Sequence, residues 1–463
     1  MKTKKTLIID ERTPLLLIAG PMFAEMFLNI LLNNIDTFML SHYSEQAVGA
    51  VGNCNTIMFM VILLFNIIAT ATSVVVAQYL GAKQYEKMNT IYTLAFSVNL
   101  FSGVVLSTAL VLLRNPILAL LSVPENMRPH ASTYLAIVGG GMFLQACYNV
   151  MLQILRCNGF PKVGMYVSIA INLINIAGNY LFLYGPLKKL NLGVAGVAIS
   201  TVTARVVALT IALIFFYKMQ IGKISPKLLF PFPVSLLVKM VKIGLPSAGE
   251  SLCYNFYQLV LLRFVNGMGE DSVNARVYCN SIISFTMCFS NACAQATQII
   301  VGHLVGAGKE EAAYKRVFYT LRVSLPITIA IGLANWQLSG YTLRIFTANE
   351  TVIRFGFYIM LVDIFIEIGR CLNMTMVTSL KASGDYFYPL IIGICIMWGV
   401  GATVGFTIGV ALGVGVVGIF MGTATDELVR GFIFIRRWRS KKWLGKAVIE
   451  RNEERSEERA AEA

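Results

Sequence analysis

Two carboxylates and three amides stand inside one apolar run near the start of the chain: Glu25, Asn29, Asn33, Asn34 and Asp36, between Gly20-Pro21 and Met39. The run is roughly 25 residues long, enough for one helix to span a bilayer. At 100° per residue Asn29 lies about 40° and Asp36 about 20° around the helix from Glu25, so the three share one face. Ionisable groups gathered on one stripe of a membrane helix turn toward the bundle interior or a water-filled cavity rather than toward lipid. Burial in a low-dielectric medium favours the neutral acid, so such a carboxylate can load and release a proton. Several carboxylate and amide oxygens can instead surround a sodium ion. The plainer alternative is a carboxylate satisfied by nearby amides, holding helices in register. Asp36, with Asn33 and Asn179 beside it, is read as the site of a coupling ion, H+ or Na+.

Other polar residues recur at helical spacing inside apolar runs. Glu250, Tyr254 and Tyr257 fall at i, i+4 and i+7, with Asn255 and Gln258 beside them. Asp363, Glu367 and Arg370 share a face. Glu367 and Arg370, three apart, can neutralise each other as an ion pair, which leaves Asp363 with spare charge. Asn172, Asn175 and Asn179 stand at i, i+3 and i+7, a spacing that glues helices or lines a cavity. Glu25, Gln78, Asn172, Asn175, Glu250, Tyr254, Tyr257, Asp363, Glu367 and Arg370 are secondary candidates for binding an ion or a substrate.

The elements that position them are membrane helices. The chain has 463 residues, 56% hydrophobic and only 13% charged, with mean hydropathy +0.68, too apolar for a soluble globular protein of this length. Apolar segments long enough to cross recur twelve times, approximately at 15–40, 49–79, 91–113, 131–155, 163–186, 193–217, 242–266, 276–305, 317–338, 352–380, 386–410 and 414–436. The fold class is therefore an all-α polytopic membrane protein. The net charge of +14 resides in the N-terminus (Lys2, Lys4, Lys5, Arg12), in alternate connections such as Lys83 and Lys87 or Lys309 and Lys315, and after Arg436. This positive-inside pattern predicts both termini in the cytoplasm, and it accounts for the charge without a nucleic-acid role. Nine scattered cysteines and three isolated histidines (His42, His130, His303) form no disulfide or metal framework. No cofactor is expected beyond the coupling ion, and no nucleophile with its base suggests an enzyme.

The chain repeats itself. Pro21-x-x-x-Glu25 returns as Pro246-x-x-x-Glu250, Gly81-Ala82 as Gly306-Ala307, and Leu155-Arg156-x-x-Gly159 as Leu380-Lys381-x-x-Gly384, each 225 residues later. Gly193-x-x-Gly196 returns as Gly415-x-x-Gly418 at a spacing of 222, which implies a three-residue deletion late in the second copy. Each copy holds six spans, an even number, so both have one orientation and are related by an axis along the membrane normal. The expected organisation is a cytoplasmic N-terminus (1–14), a first six-helix bundle (15–217), a basic, proline-bearing cytoplasmic linker (218–241), a second six-helix bundle (242–436) and a charged, solvated cytoplasmic tail (437–463) with no site in it. Asp36 has Leu261 as its counterpart, so the bundles are not chemically equivalent.

The run Gly20-Pro21 to Asn34-Ile35-Asp36-Thr37-Phe38-Met39, the segments Val76-Ala77-Gln78-Tyr79-Leu80-Gly81-Ala82 and Leu155-Arg156-Cys157-Asn158-Gly159, and the run Asn172 to Asn179-Tyr180-Leu181-Phe182-Leu183-Tyr184-Gly185 resemble the multidrug and toxic compound extrusion (MATE) transporters of the MOP flippase superfamily. The resemblance covers essentially the whole chain apart from its tails. It implies two six-helix lobes in a V, alternating access, and export of hydrophobic or cationic organic compounds in exchange for H+ or Na+. It also implies a multi-pass protein of the bacterial-type inner membrane, acting as a monomer on small-molecule substrates. In that family the first-span aspartate matching Asp36 belongs to the cation site. Asn179 stands where DinF-like members have a second aspartate, which brings the chain nearer the NorM-like branch. That branch has its seventh-span glutamate nearer Tyr254 than Glu250, and its tenth-span aspartate nearer Arg370 than Asp363. The alternative within the superfamily is a flippase of lipid-linked oligosaccharide or peptidoglycan precursor, which resembles proteins with a cationic cavity. Arg205 is nearly alone as a basic residue within the first six spans, which disfavours it.

Overall fold

The computed structural model describes residues 9–121 and 123–449, with the side chains of Asn33 and Glu45 outside that description. Among the described residues the chain is helical throughout, with no strand. The helices are α1 (Leu15–Ser41), α2 (Glu45–Gly81), α3 (Met88–Leu112), α4 (Arg114–Leu120), α5 (Arg128–Tyr134), α6 (Met142–Cys157), α7 (Pro161–Leu183), α8 (Val194–Lys218), α9 (Val234–Asn266), α10 (Glu270–Gly306), α11 (Glu310–Thr342), α12 (Glu350–Ser383), α13 (Phe387–Ile396), α14 (Thr403–Phe406) and α15 (Val416–Arg439).

Each of the twelve expected spans coincides with a helix or a succession of helical segments. The fourth is a bent pair: α5 runs through a π-helical turn, Leu135–Gly139, and meets α6 at 44°. Three consecutive glycines, Gly139 to Gly141, stand at the bend, where their absent side chains make a break in helical pairing least costly. The eleventh joins α13 and α14 through π-helical turns at Met397–Ala402 and Thr407–Ala411. Among the described residues seven helices are long and apolar enough to cross a membrane, or eight with the bent pair. The ones that fall short, α9, α10, α12 and α15, carry the polar residues described below.

The chain forms two compact units. The first contains residues 16–73 and 89–252, the second 9–15, 74–88 and 253–449, so α2 and α9 each begin in the first and end in the second. The core of the first unit gathers Leu40, Cys54, Phe65, Leu110, Leu135 and Val197, that of the second Tyr257, Cys279, Leu343, Met360, Ile366 and Phe420. Apolar side chains find no hydrophobic gain in leaving lipid for a helix interface, so close approach of small residues must supply the packing. In the second unit Gly81 lies against the backbone of His303 and Gly306 against that of Gln78, so tightly that a Cβ at either would overlap a carbonyl. Gly401, Gly405 and Gly409 likewise receive Gly418 and Gly422 of α15: a Cβ on Gly418 would stand 2.6 Å from the Cα of Gly409.

The tail departs from its expectation. Helix α15 continues to Arg439, and residues 440–449 lie as a strap on the second unit, anchored by the buried Trp443 and Ile449 while Ser440 to Lys442 and Leu444 to Lys446 are exposed. Trp443 stacks on Trp438 with ring centroids 4.2 Å apart, and both are buried. Lys446 and Arg437 pair with the buried Asp385 at 2.7 and 2.9 Å, and the Val448 N–H donates to Gln78 Oε1 at 2.7 Å. The physical reason is the pair of tryptophans, large apolar surfaces placed five residues apart within a charged run. The rest of the tail, and the first residues of the N-terminus, lie outside the described residues.

Candidate ion and substrate sites in the two units

In the first unit a polar ladder runs along the seam between α1 and α7. At one end Arg156, the last basic residue of α6, places Nη2 2.7 Å from both carboxylate oxygens of Glu25, and both residues are buried. Gly164 of α7 faces this pair, and a Cβ there would collide with the Glu25 carboxylate. One turn along, Ser168 Oγ donates to Asn29 Oδ1 at 3.0 Å, and Asn172 Nδ2 donates to the Ser168 carbonyl at 2.6 Å. At the other end Asn179 Nδ2 donates to Asp36 Oδ1 and to Asn175 Oδ1, both at 2.8 Å. Asn175 in turn donates to Thr201 Oγ1 of α8 at 3.4 Å. The Asn179 carbonyl oxygen is buried and has no hydrogen-bond partner. Asp36 therefore has one anchored oxygen, with an uncommitted amide oxygen beside it. A cation, or a proton on the acid, would complete such a set.

The structure brings Asp36, Asn175 and Asn179 together, on the faces their spacing assigns. Asn33 lies on α1 by its backbone, and its side chain falls outside the described residues. Glu25 is paired with a cation of the chain itself. Its charge is neutralised by Arg156, a residue whose sequence signal is only that of a repeat anchor. Gln78 is fully buried, and its amide donates to the Ala382 carbonyl (2.7 Å) and accepts from the Val448 N–H of the strap. Glu250 is half-buried on α9.

In the second unit the charged residues of α12 and α15 interlock. Arg370 pairs with Glu367, as the three-residue spacing suggests. Arg430 bridges Asp426 at 2.5 Å and Glu427 at 3.1 Å, and Asn373 Nδ2 donates to the other Glu427 oxygen at 2.7 Å. Gly369 admits the α15 backbone at Glu427 and Leu428, which brings the two charged stripes within reach. Four buried carboxylates thus meet two guanidiniums. Two carboxylates are therefore in excess: Asp426 and Glu427 share Arg430, and Asp363 is buried with neither oxygen hydrogen-bonded. Asp363 lines a cavity of about 240 Å³ together with Tyr254, Gln258, Arg276, Asn280 and Thr423. Tyr257 is fully buried and edge-on to Trp398 at 6.3 Å.

The residues of α15 escape the sequence reading. Asp426, Glu427 and Arg430 carry the same signal as Asp363, Glu367 and Arg370, namely charges at helical spacing within an apolar span. Their nearness to the basic end of the chain hides it.

The fold and the repeat are shared with known proteins. The MatE family profile matches residues 21–181 and again 246–407, reproducing the internal repeat. The chain is 34% identical over 439 residues to the uncharacterised transporter YisQ of Bacillus subtilis, covering 95% of this chain and 96% of that one. It is 24% identical to the probable multidrug resistance protein NorM of Thermotoga maritima, covering 96% and 95%. Among solved structures, a mutant of the Vibrio cholerae MATE transporter VcmN superposes with a TM-score of 0.85 at 17% identity, over 94% of this chain and 98% of that one. A MATE family transporter of the MOP superfamily in its outward-facing conformation gives 0.86 at 18% identity, over 95% and 98%. With the family profile covering both halves and a full-length relative sharing a third of its residues, the chain belongs to the MATE family of membrane transporters.

Proposed function

We propose that the protein is a secondary antiporter that exports hydrophobic or cationic organic compounds in exchange for H+ or Na+. The observation that carries this reading is the Asp36–Asn179 pair, a carboxylate kept inside a spanning helix with one oxygen anchored and the neighbouring amide oxygen unfilled. Keeping a charge at membrane depth costs several kcal/mol, and such residues mark ion pathways. The multidrug-resistance names of relatives such as NorM of Thermotoga maritima support the same direction of transport. Asp36 takes up the coupling ion in one facing state and releases it in the other. An ion with different affinity for the two states shifts their populations by that difference, which is what couples its flow to substrate release.

Asp363 supplies a second acidic site in the other unit, where an organic cation or a further proton neutralises its surplus charge. The proposed topology places both termini and the basic connections in the cytoplasm. A flippase is less well supported. Arg156 is neutralised by Glu25, and Arg205, in the middle of α8, is bonded to the Val138 carbonyl. The test uses purified protein in liposomes with ethidium as substrate, comparing an imposed sodium gradient with an imposed pH gradient. One of the two drives ethidium movement. Failure of both refutes the antiport.

A further inference from the structure

Within the second unit α9 presents two opposite faces. Tyr254, Gln258 and Leu261 turn to the cavity that Asp363 lines. Cys253, Phe256, Val260 and Arg263 point on average about 180° away from them around the helix, and with Leu259 and Trp398 they line a separate groove of about 430 Å³. Its lining is apolar except at Arg263. The second wall, Trp398, belongs to the π-helical turn Met397–Ala402 and stands edge-on to Tyr257. Gly401 of the same turn comes so near α9 that a Cβ on it would lie 2.7 Å from the Tyr257 hydroxyl. Such single π turns inside helices recur at functional sites. Length and charge point to what fills the groove. From Cys253 to Arg263 the helix rises about 15 Å, half of the about 30 Å thickness of a hydrocarbon core. Arg263 stands in the last turn of α9, so the groove runs the depth of one leaflet, from the helix end toward the middle of the membrane. Phe256 and Leu259 are more than half exposed along it. Arg263 is exposed as well, and among the described residues no carboxylate lies within ion-pair distance of it.

We infer that this groove holds one anionic phospholipid, with its phosphate on Arg263 and an acyl chain laid along Phe256, Leu259, Val260 and Trp398. A guanidinium presents parallel N–H donors that match two phosphate oxygens. A zwitterionic headgroup brings its own ammonium to the same place, where Arg263 repels it, so net negative charge decides which lipid stays. The acyl chain gains no hydrophobic energy by leaving other lipid tails for the groove. Selectivity therefore resides in the headgroup, and the apolar walls fix where the chain lies.

The test uses Trp398 as the reporter. The full-length protein is reconstituted in phosphatidylcholine vesicles with increasing fractions of phosphatidylglycerol brominated on its acyl chains, or of equally brominated phosphatidylcholine, and tryptophan fluorescence is read with no gradient present. The chain has four tryptophans, and the signal of Trp398→Phe, subtracted from that of wild type, isolates the one in the groove. Phosphatidylglycerol half-quenches Trp398 at an about fivefold lower fraction than phosphatidylcholine, the factor set by one basic residue facing an anionic headgroup. Arg263→Gln abolishes the difference, and Arg263→Lys, which keeps the charge, retains part of it. In wild type the preference also shrinks as salt is raised, because an exposed charge is screened, a readout that needs no variant at Arg263. Equal quenching by the two lipids in wild type, or a preference that survives Arg263→Gln, overturns the inference. Relief of the phosphatidylglycerol quenching by ethidium would assign the groove to the transported compound and overturn it as well.

Discussion

Removing Arg156 strands Glu25 inside the first unit, and the size of the effect follows from the geometry. The guanidinium nitrogen lies 2.7 Å from both carboxylate oxygens, and both residues are under a tenth exposed. At an effective dielectric constant of about 20, two unit charges at that separation attract by about 6 kcal/mol. Desolvating the two ions costs several kcal/mol each, so the intact pair is nearly neutral in net stability, while either half alone is strongly unfavourable. The prediction is therefore non-additive. Arg156→Met and Glu25→Leu should each destabilise by about 3–5 kcal/mol, and the double variant should return to within about 1 kcal/mol of wild type. Thermal unfolding of the four proteins in one detergent, analysed as a double-mutant cycle, measures this. Losses that simply add would refute the claim that Glu25 and Arg156 act as one structural unit. They would also reopen Glu25 as a coupling residue.

Asp363→Asn removes a charge that meets no arginine at ion-pair distance among the described residues, so stability should stay within about 1 kcal/mol of wild type, whereas Glu427→Gln breaks a network with Arg430 and Asn373 and should cost about 2–4 kcal/mol; parallel melting curves of the two variants check this. Trp443→Ala empties a buried site stacked on Trp438 and should cost about 3 kcal/mol or more. Limited trypsin digestion should then cut quickly at Lys441, Lys442 and Lys446, sites the strap protects in wild type. Gly306→Val forces a side chain into the Gln78 backbone and should cost at least about 2 kcal/mol in the same melting assay.

Much of the architecture is legible because membrane helices announce themselves by long apolar runs and because the chain states its plan twice. Pro21 and Pro246, Gly81 and Gly306, and Gly159 and Gly384 occupy matching places, and the family profile matches twice over those same copies. The polar faces of α1 and α7 that carry Asp36 and Asn179 are legible too, since periodicity identifies the face of each helix. What periodicity cannot reveal is which face meets which. Glu25 and Arg156 stand 131 residues apart, and nothing in either local pattern selects the other. Likewise Asp426, Glu427 and Arg430 reach α12 because Gly369 lets the two backbones approach, a fact of packing rather than of spacing. The strap is hidden for a similar reason: Trp438 and Trp443 lie in a strongly charged run, and composition outweighs two side chains whose burial depends on their stacking.

The most direct test of the account is gradient-driven ethidium transport in liposomes by Asp36→Asn, reconstituted at the density of wild type and checked for an unchanged melting temperature. The Asn179 donor still has an oxygen to meet, so the fold persists, but the acid that takes up the ion is gone. Transport should fall by about tenfold or more, because an ion that no longer binds cannot bias the exchange. A rate equal to wild type under the same gradient would contradict the central claim.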